Sequence, residues 1–306
     1  MTIVKRRICD PHIHIYPSGA ATNNLRRVLY GENGFQIPSS HLTDLPGEFT
    51  AKAYLEHARP HGVRLAVNLP VANRGKKAAG VAAINEWCLG QHEESCGQVR
   101  SLGAINPTTM SQVEIAGELD RIKRSKLISG VKLIPMAGPA FQEFDPADCR
   151  LEPFYKAVAD RDMMIVWHMG SRMKDPVNVA TAKKIADIYE RYAGRIRMVA
   201  AHLGNDAWEE VRVHLIGLEG IAFDLAYVYP METEYPYIVR TNGATFRRVI
   251  SDVGTGRTFG GYDFPHMSVG VGQGAFDRLA AEANLSQEEQ HAILWQSPVD
   301  FYRLAA

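Results

Sequence analysis

Two histidines one residue apart, His12 and His14, end the opening stretch Ile8-Cys9-Asp10-Pro11-His12-Ile13-His14. Side chains i and i+2 of a strand share a face, so the two imidazoles are expected to project side by side near the strand's end. Neutral imidazole is a common ligand for zinc and similar ions, but a metal site uses three or four donors. Taken alone, the pair reads first as two partly exposed histidines in an amino-terminal strand.

The missing donors stand far along the chain, each just after an apolar run. His168 follows Val166-Trp167, His202 follows Ala200-Ala201, and Asp263 lies in Gly261-Tyr262-Asp263-Phe264-Pro265-His266. An unpaired polar side chain is costly in such a setting. Their positions make sense once the surrounding elements are read.

Apolar runs predict strands at Ile8–His14, Val63–Leu69, Val99–Ile105, Gly130–Ile134, Met163–Trp167, Ile196–Ala201, Ile221–Leu225 and Thr258–Tyr262. Helical spacing predicts helices between them, at Phe49–His61, Gly75–Glu94, Ser111–Lys126, Leu151–Arg161, Val177–Tyr192, Ala207–Leu218 and Tyr235–Ile250. Gly272–Ala283, Ser286–Leu294 and a last short helix opened by Pro298 complete the chain, with Ser286 and Glu289 forming a capping box. The strands are apolar throughout, as expected when both faces are covered.

Eight β/α units favour an α/β fold of the closed (β/α)8 TIM-like barrel type over an open doubly wound sheet. No GxGxxG follows the first strand, which argues against a dinucleotide fold. The expectation is one barrel domain over 1–306, with 15–47 as a β1–α1 lid or loop insertion carrying Arg26 and Arg27. Carboxyl ends of all barrel strands open onto one mouth, where active sites sit. His12, His14, His168, His202 and Asp263 therefore converge.

Each histidine singly is better read as a satisfied core residue; jointly they read as a metal site. His12, His14, His168 and Asp263 form a three-nitrogen, one-oxygen shell suited to one divalent ion, Zn²⁺ first, with Mn²⁺ or Fe²⁺ as alternatives. Such an ion lowers the pKa of water towards about 7. Asp263 is expected to take and return the water's proton, and His202 to hydrogen-bond the water or polarise a substrate carbonyl.

The ordered set DPHIH, GAINP, GVKLIP, WHMG, AHLG and GGYDFPH resembles the amidohydrolase superfamily. Within it, the similarity is to the group that includes aminocarboxymuconate-semialdehyde decarboxylase, resorcylate-type decarboxylases and pyrone-dicarboxylate lactonase. The resemblance runs over nearly the whole chain. It implies a TIM-like barrel and a divalent metal held by His12, His14, His168 and Asp263, with His202 as acid or base. One departure is Gln296-Ser297, where relatives often carry Asn-Ala.

Lys132 lies in the fourth strand. Some amidohydrolases carboxylate a lysine there to bridge two metals. Here it precedes Leu133-Ile134-Pro135, so it is expected deeper than the mouth, as an unmodified lysine meeting a substrate anion or a neighbouring carboxylate, without a second metal. Arg172 is a candidate clamp for a substrate carboxylate or a surface arginine beside Lys174. Tyr227, with Tyr229, Tyr235 and Tyr237, is expected at the rim, against a cyclic substrate or a second subunit. His266 is a further substrate-side candidate that supports Asp263.

Bulk composition narrows the partners. The 34 basic residues balance the 34 acidic ones, leaving no excess for nucleic acid or an anionic membrane, so a small molecule is favoured. No apolar run approaches the ~20 residues needed to cross a bilayer, and the polar, basic start is unlike a signal peptide. Cys9, Cys88, Cys96 and Cys149 are scattered, which fits a reducing cytoplasm. Self-association is left open.

The leading expectation is a metal-dependent hydrolase acting on a C–O or C–N bond of a small carboxylate-bearing or cyclic substrate, such as a lactone, ester or amide. The alternative is a metal-dependent non-oxidative decarboxylase of an aromatic or unsaturated acid. The absence of a doubled glycine after His202 favours the first. A barrel that binds without turnover is a third reading, disfavoured by the full acid/base set.

Overall fold

Strand β1 (Ile8–Ile13) is the first of eight parallel strands that pair in sequence order. The others are β2 (Val63–Asn68), β3 (Val99–Gly103), β4 (Ile128–Leu133), β5 (Met164–His168), β6 (Arg197–Ala201), β7 (Ile221–Asp224) and β8 (Thr258–Phe259). The computed structural model describes residues 6–19, 42, 44–136, 141–169, 181–228 and 242–304. Arg26, Arg27, Arg172, Tyr229, Tyr235, Tyr237 and most of 15–47 lie outside the described residues.

The strands alternate between two apolar clusters, which explains why they are continuously apolar in sequence. Met164 and Val166 of β5, Val199 and Ala201 of β6 and Ala222 of β7 pack together in the barrel lumen, over a floor of Trp295, Tyr302 and Leu304. The intervening Ile165, Trp167, Met198, Ala200, Ile221 and Phe223 face the helices. The period of two then puts Lys132, His168 and Asp224 on the lumen side at the carboxyl ends of β4, β5 and β7. Lys132 pairs in register with Val166, and His168 with Ala201, so the lysine sits one layer deeper than the histidine.

The helices are α1 (Ala51–Ala58), α2 (Ala78–Glu94), α3 (Gln112–Arg124), α4 (Glu152–Ala159) and α5 (Ala182–Arg191). After them come α6 (Trp208–His214), α7 (Gly243–Val253), α8 (Val269–Glu282), α9 (Gln287–His291) and α10 (Ser297–Phe301). Helix α3 shows why they form. Ser111 and Glu114 make a reciprocal capping box, Ile115, Leu119 and Ile122 form one buried stripe, and Arg121, Lys123 and Arg124 face the negative end of the dipole. The stripe lies so close to β3 that a β-carbon on Gly103 would stand 2.2 Å from Ile122 Cδ1. Helix α8 begins at Val269, earlier than its apolar spacing suggests, because Ser268 caps it. The capping box at Ser286 and Glu289 is present. All four cysteines are free thiols, and no described helix is long and apolar enough to cross a membrane.

Strand β8 has two residues where five were expected, and the barrel closes beyond it. Ile13 bridges Phe264, His14 N–H donates to the Phe264 carbonyl at 2.7 Å, and Asp263 N–H donates to the His12 carbonyl at 3.0 Å. The Asp10 carboxylate reinforces this seam. It accepts from Tyr262 N–H at 3.2 Å, from His12 N–H at 3.3 Å and from the Tyr54 hydroxyl at 2.7 Å. Burial pushes the Asp10 carboxyl up to about 7, against those three donors. The folded protein thus holds a proton that the unfolded chain releases near pH 4, so stability falls as pH rises between about 4 and 7. Asp10→Asn keeps an acceptor for both N–H groups. Chemical denaturation across this window should show the wild-type stability, relative to the variant, declining by about 1.4 kcal/mol per pH unit; parallel curves would refute the assignment.

Candidate metal centre

Three donor atoms meet at the barrel mouth. His12 Nε2 and His14 Nε2 each stand 3.4 Å from Asp263 Oδ1. His12, His14 and Asp263 form a buried group whose ligand atoms lie within 4.8 Å of one another, and they could hold a metal ion. His12 Nε2 and Asp263 Oδ1 are buried, with no hydrogen-bond partner among the described residues. Two buried lone-pair donors left without a proton or a water-side partner are costly unless a cation lies between them.

Hydrogen bonds on the far side of each ring fix which nitrogen carries the lone pair. His12 Nδ1–H donates to Asp224 Oδ2 at 2.9 Å, and His14 Nδ1–H donates to the Leu69 carbonyl at 2.8 Å. Both Nε2 atoms are therefore lone-pair bearing and aimed at Asp263. His202 Nδ1–H donates to the Ala226 carbonyl at 2.8 Å, because a carbonyl only accepts. Its Nε2 then accepts from His168 Nδ1–H at 3.0 Å, which leaves the His168 lone pair on Nε2. His168 is half-buried and pairs with His202 rather than joining the His12–His14–Asp263 group.

Asp224, which was not singled out in the sequence, anchors the arrangement. It is fully buried; Oδ1 accepts from His202 N–H at 2.9 Å and Ala226 N–H at 3.2 Å while Oδ2 holds His12. It also forms a second close group with His12 and His202. Its signal was available: an acid inside the apolar run Ile221-Ala222-Phe223-Asp224-Leu225 needs partners as much as Lys132 does. Two of the site residues, His202 at φ 59° and Asp263 at φ 56°, occupy the left-handed region that non-glycine residues rarely adopt. Such strain persists where surrounding bonds over-determine the conformation, as the Asp224 and His12 backbone contacts do here.

Burial holds the imidazoles neutral. It lowers His12 against the opposing pull of Asp224, lowers His14, takes His168 well below its ordinary value with help from His202, and takes His202 down to about 4. Burial pushes the carboxyls up, but His12 overrides it at Asp224, and His266 and His14 override it at Asp263, which stays well below the usual range. Lys132 is wholly buried and brought down to about 8 by desolvation, which Asp224 and Asp263 partly offset. Its Nζ has no hydrogen-bond partner among the described residues. His266 Nδ1 lies 3.7 Å from Asp263 Oδ1, and that carboxylate raises the imidazole against its burial. Tyr227 is half-buried in the turn after β7 at φ 62°.

Asp224→Asn tests the orienting role. With the amide oxygen kept on the backbone N–H groups, the amide nitrogen faces His12 Nδ1 and forces the proton onto Nε2. Zinc affinity, measured by chelator competition, should fall about 10–100-fold with the circular dichroism spectrum unchanged; unchanged affinity would dismiss the role.

A family model described as Amidohydrolase matches residues 9–304. No curated protein matches the chain in sequence. Among solved structures, a 5-carboxyvanillate decarboxylase from Novosphingobium aromaticivorans, in complex with manganese and 4-hydroxy-3-methoxy-5-nitrobenzoic acid, is similar at TM-score 0.70 and 13% identity, over 98% of this chain and 96% of that one. A 2,6-dihydroxybenzoate decarboxylase from Rhizobium is similar at 0.67 and 11%, over 98% and 99%. A protein from Pseudomonas putida assigned as a 2-pyrone-4,6-dicarboxylic acid hydrolase is similar at 0.64 and 17%, over 98% of both chains. At these identities the solved structures speak for the fold, and the family match, which spans nearly all of the sequence, decides the rest: the chain belongs to the amidohydrolase family.

Proposed function

We propose that the protein is a metal-dependent hydrolase of a C–O or C–N bond in a small carboxylate-bearing or cyclic substrate, a lactone, ester or amide. The observation that carries this reading is the convergence of His12 Nε2 and His14 Nε2 on Asp263 Oδ1. A divalent ion held by His12, His14 and Asp263, with His168 Nε2 as a further donor, supplies Lewis-acid polarisation and acidifies water. Zn²⁺ suits the nitrogen-rich set; Mn²⁺ and Fe²⁺ are the alternatives. Asp263, ionised and opposite the imidazoles, accepts the proton of the attacking water through its second oxygen and passes it to the leaving group. His202 is neutral at pH 7 and offers a lone pair at Nε2, which suits it to accept a proton rather than to supply one. Lys132 places a buried ammonium below the site, where a substrate carboxylate or a developing oxyanion is stabilised. Arg172 and Tyr227 remain candidate contacts at the substrate's outer end.

The second reading is decarboxylation of an aromatic or unsaturated acid. His266 favours it, because Asp263 keeps this imidazole protonated to higher pH than usual and so maintains a proton donor for carbon beside the carboxylate. A panel of lactones and hydroxybenzoates, assayed for acid release and for CO₂, separates the two. Acid release is expected, abolished by exhaustive chelation and restored by Zn²⁺ or Mn²⁺, with Asp263→Asn lowering kcat at least about 100-fold. CO₂ release without hydrolysis would reverse the order, and activity surviving chelation would remove the metal from both.

A further inference from the structure

At the end of the barrel opposite the histidines, the first residues of β3 to β6 and the carboxy-terminal turn line a cleft of about 150 Å³. Four cationic side chains line it, Arg100, Lys126, Arg197 and Arg303, together with Ser129, and no carboxylate among the described residues does. The topology makes them converge. Arg197 opens β6 in register with Met164 of β5, Arg100 lies at the start of β3, Lys126 and Ser129 flank the start of β4, and Arg303 stands in the turn that follows α10.

Arg197 is held in place without being neutralised. Its Nη1 donates to the Phe301 carbonyl at 2.6 Å, its guanidinium lies 5.4 Å from the Phe301 ring centre, and its Nε is buried with no acceptor among the described residues. Burial, and then the neighbouring Arg303, make its charge harder to hold, which Asp162 partly offsets. Two counter-charges stand at the rim. Asp162 meets Arg303 at 3.2 Å and Glu93 meets Lys126 at 3.7 Å, both between exposed side chains, where such pairs contribute little. Two guanidinium groups lining one cleft, with a buried N–H to spare, are complementary to an anion placed between them.

We propose that this cleft binds a phosphate-type dianion, free or as the head group of a phosphomonoester, which ties the amino ends of β3, β4 and β6 to the carboxy-terminal turn. A tetrahedral dianion suits cations that arrive from several elements, whereas a carboxylate offers a single edge. The chemistry of a barrel sits at the other mouth, so the bound anion acts on stability rather than on turnover.

The test is calorimetry and thermal unfolding of the full chain with inorganic phosphate, against sodium chloride at matched ionic strength. A saturable rise in Tm that chloride does not reproduce is expected. Arg303→Gln and Lys126→Gln, both at exposed side chains, should each weaken phosphate binding about tenfold, the loss of one charge-assisted contact, while leaving Tm in phosphate-free buffer and the bound-metal content unchanged. Arg197→Gln should do the same where it folds, and the two exposed variants decide where it does not. Glycerol phosphate in a parallel titration distinguishes the sources: tighter binding than phosphate identifies a head group, equal or weaker binding the free ion. A response that does not saturate, that chloride matches, or that persists in both exposed variants overturns the proposal.

Discussion

The hydrogen bond from Asp263 N–H to the His12 carbonyl does two jobs at once. It is part of the seam that closes the barrel, and it fixes the separation between the carboxylate and the imidazoles that face it. Strand β8 is too short to close the ring by an ordinary ladder. Closure falls instead to a single bridge, Ile13 with Phe264, and to the Asp10 carboxylate beneath it. Residues separated by most of the sequence are therefore tied to one another by backbone hydrogen bonds, as neighbours in a sheet are. The site is built into the joint that closes the sheet, and the joint is reinforced by polar groups that would otherwise be costly to bury.

From that seam outward, the acceptor behind each ring determines what the ring can do. A carbonyl behind His14, another behind His202 and a carboxylate behind His12 each demand a proton on Nδ1. Lone pairs are thereby delivered to the mouth with these three imidazoles uncharged. Burial strengthens the arrangement, since desolvation disfavours the imidazolium. Asp224 carries more of this than any other residue, because one carboxylate orients His12 and also pins the left-handed turn that turns His202 into the mouth.

Much of this was legible in the sequence, and the exceptions share a cause. His12, His14 and His168 could be found because strand periodicity and apolar flanks are local signals. Lys132 was recognised as a buried strand lysine, and its depth follows from the register of β4 on β5. Asp263 was found through its motif but misplaced along its strand: Gly260 and Gly261 interrupt β8, and a turn rather than a strand end presents the carboxylate. The pairing of His168 with His202, and the role of Asp224, depend on contacts across strands that no local pattern encodes. An acid at the end of a buried strand is the one trace that such contacts leave.

The charge balance of the mouth connects geometry to substrate. With His12, His14, His168 and His202 neutral, two carboxylates, Asp224 and Asp263, face one ammonium, Lys132, and His266, which Asp263 raises, adds a second positive charge below its own pKa. Above that pKa the sum is one negative charge in a buried setting, which is unfavourable unless a cation offsets it. A divalent ion turns that sum into one positive charge, and a substrate bearing one carboxylate then brings it to zero. Without Lys132 the ion alone would neutralise the site, and an anionic substrate would leave it negative. On the proposed function the buried lysine favours an anionic substrate at the metal-loaded mouth, and its depth, one layer below His168, sets it apart from the His12–His14–Asp263 group.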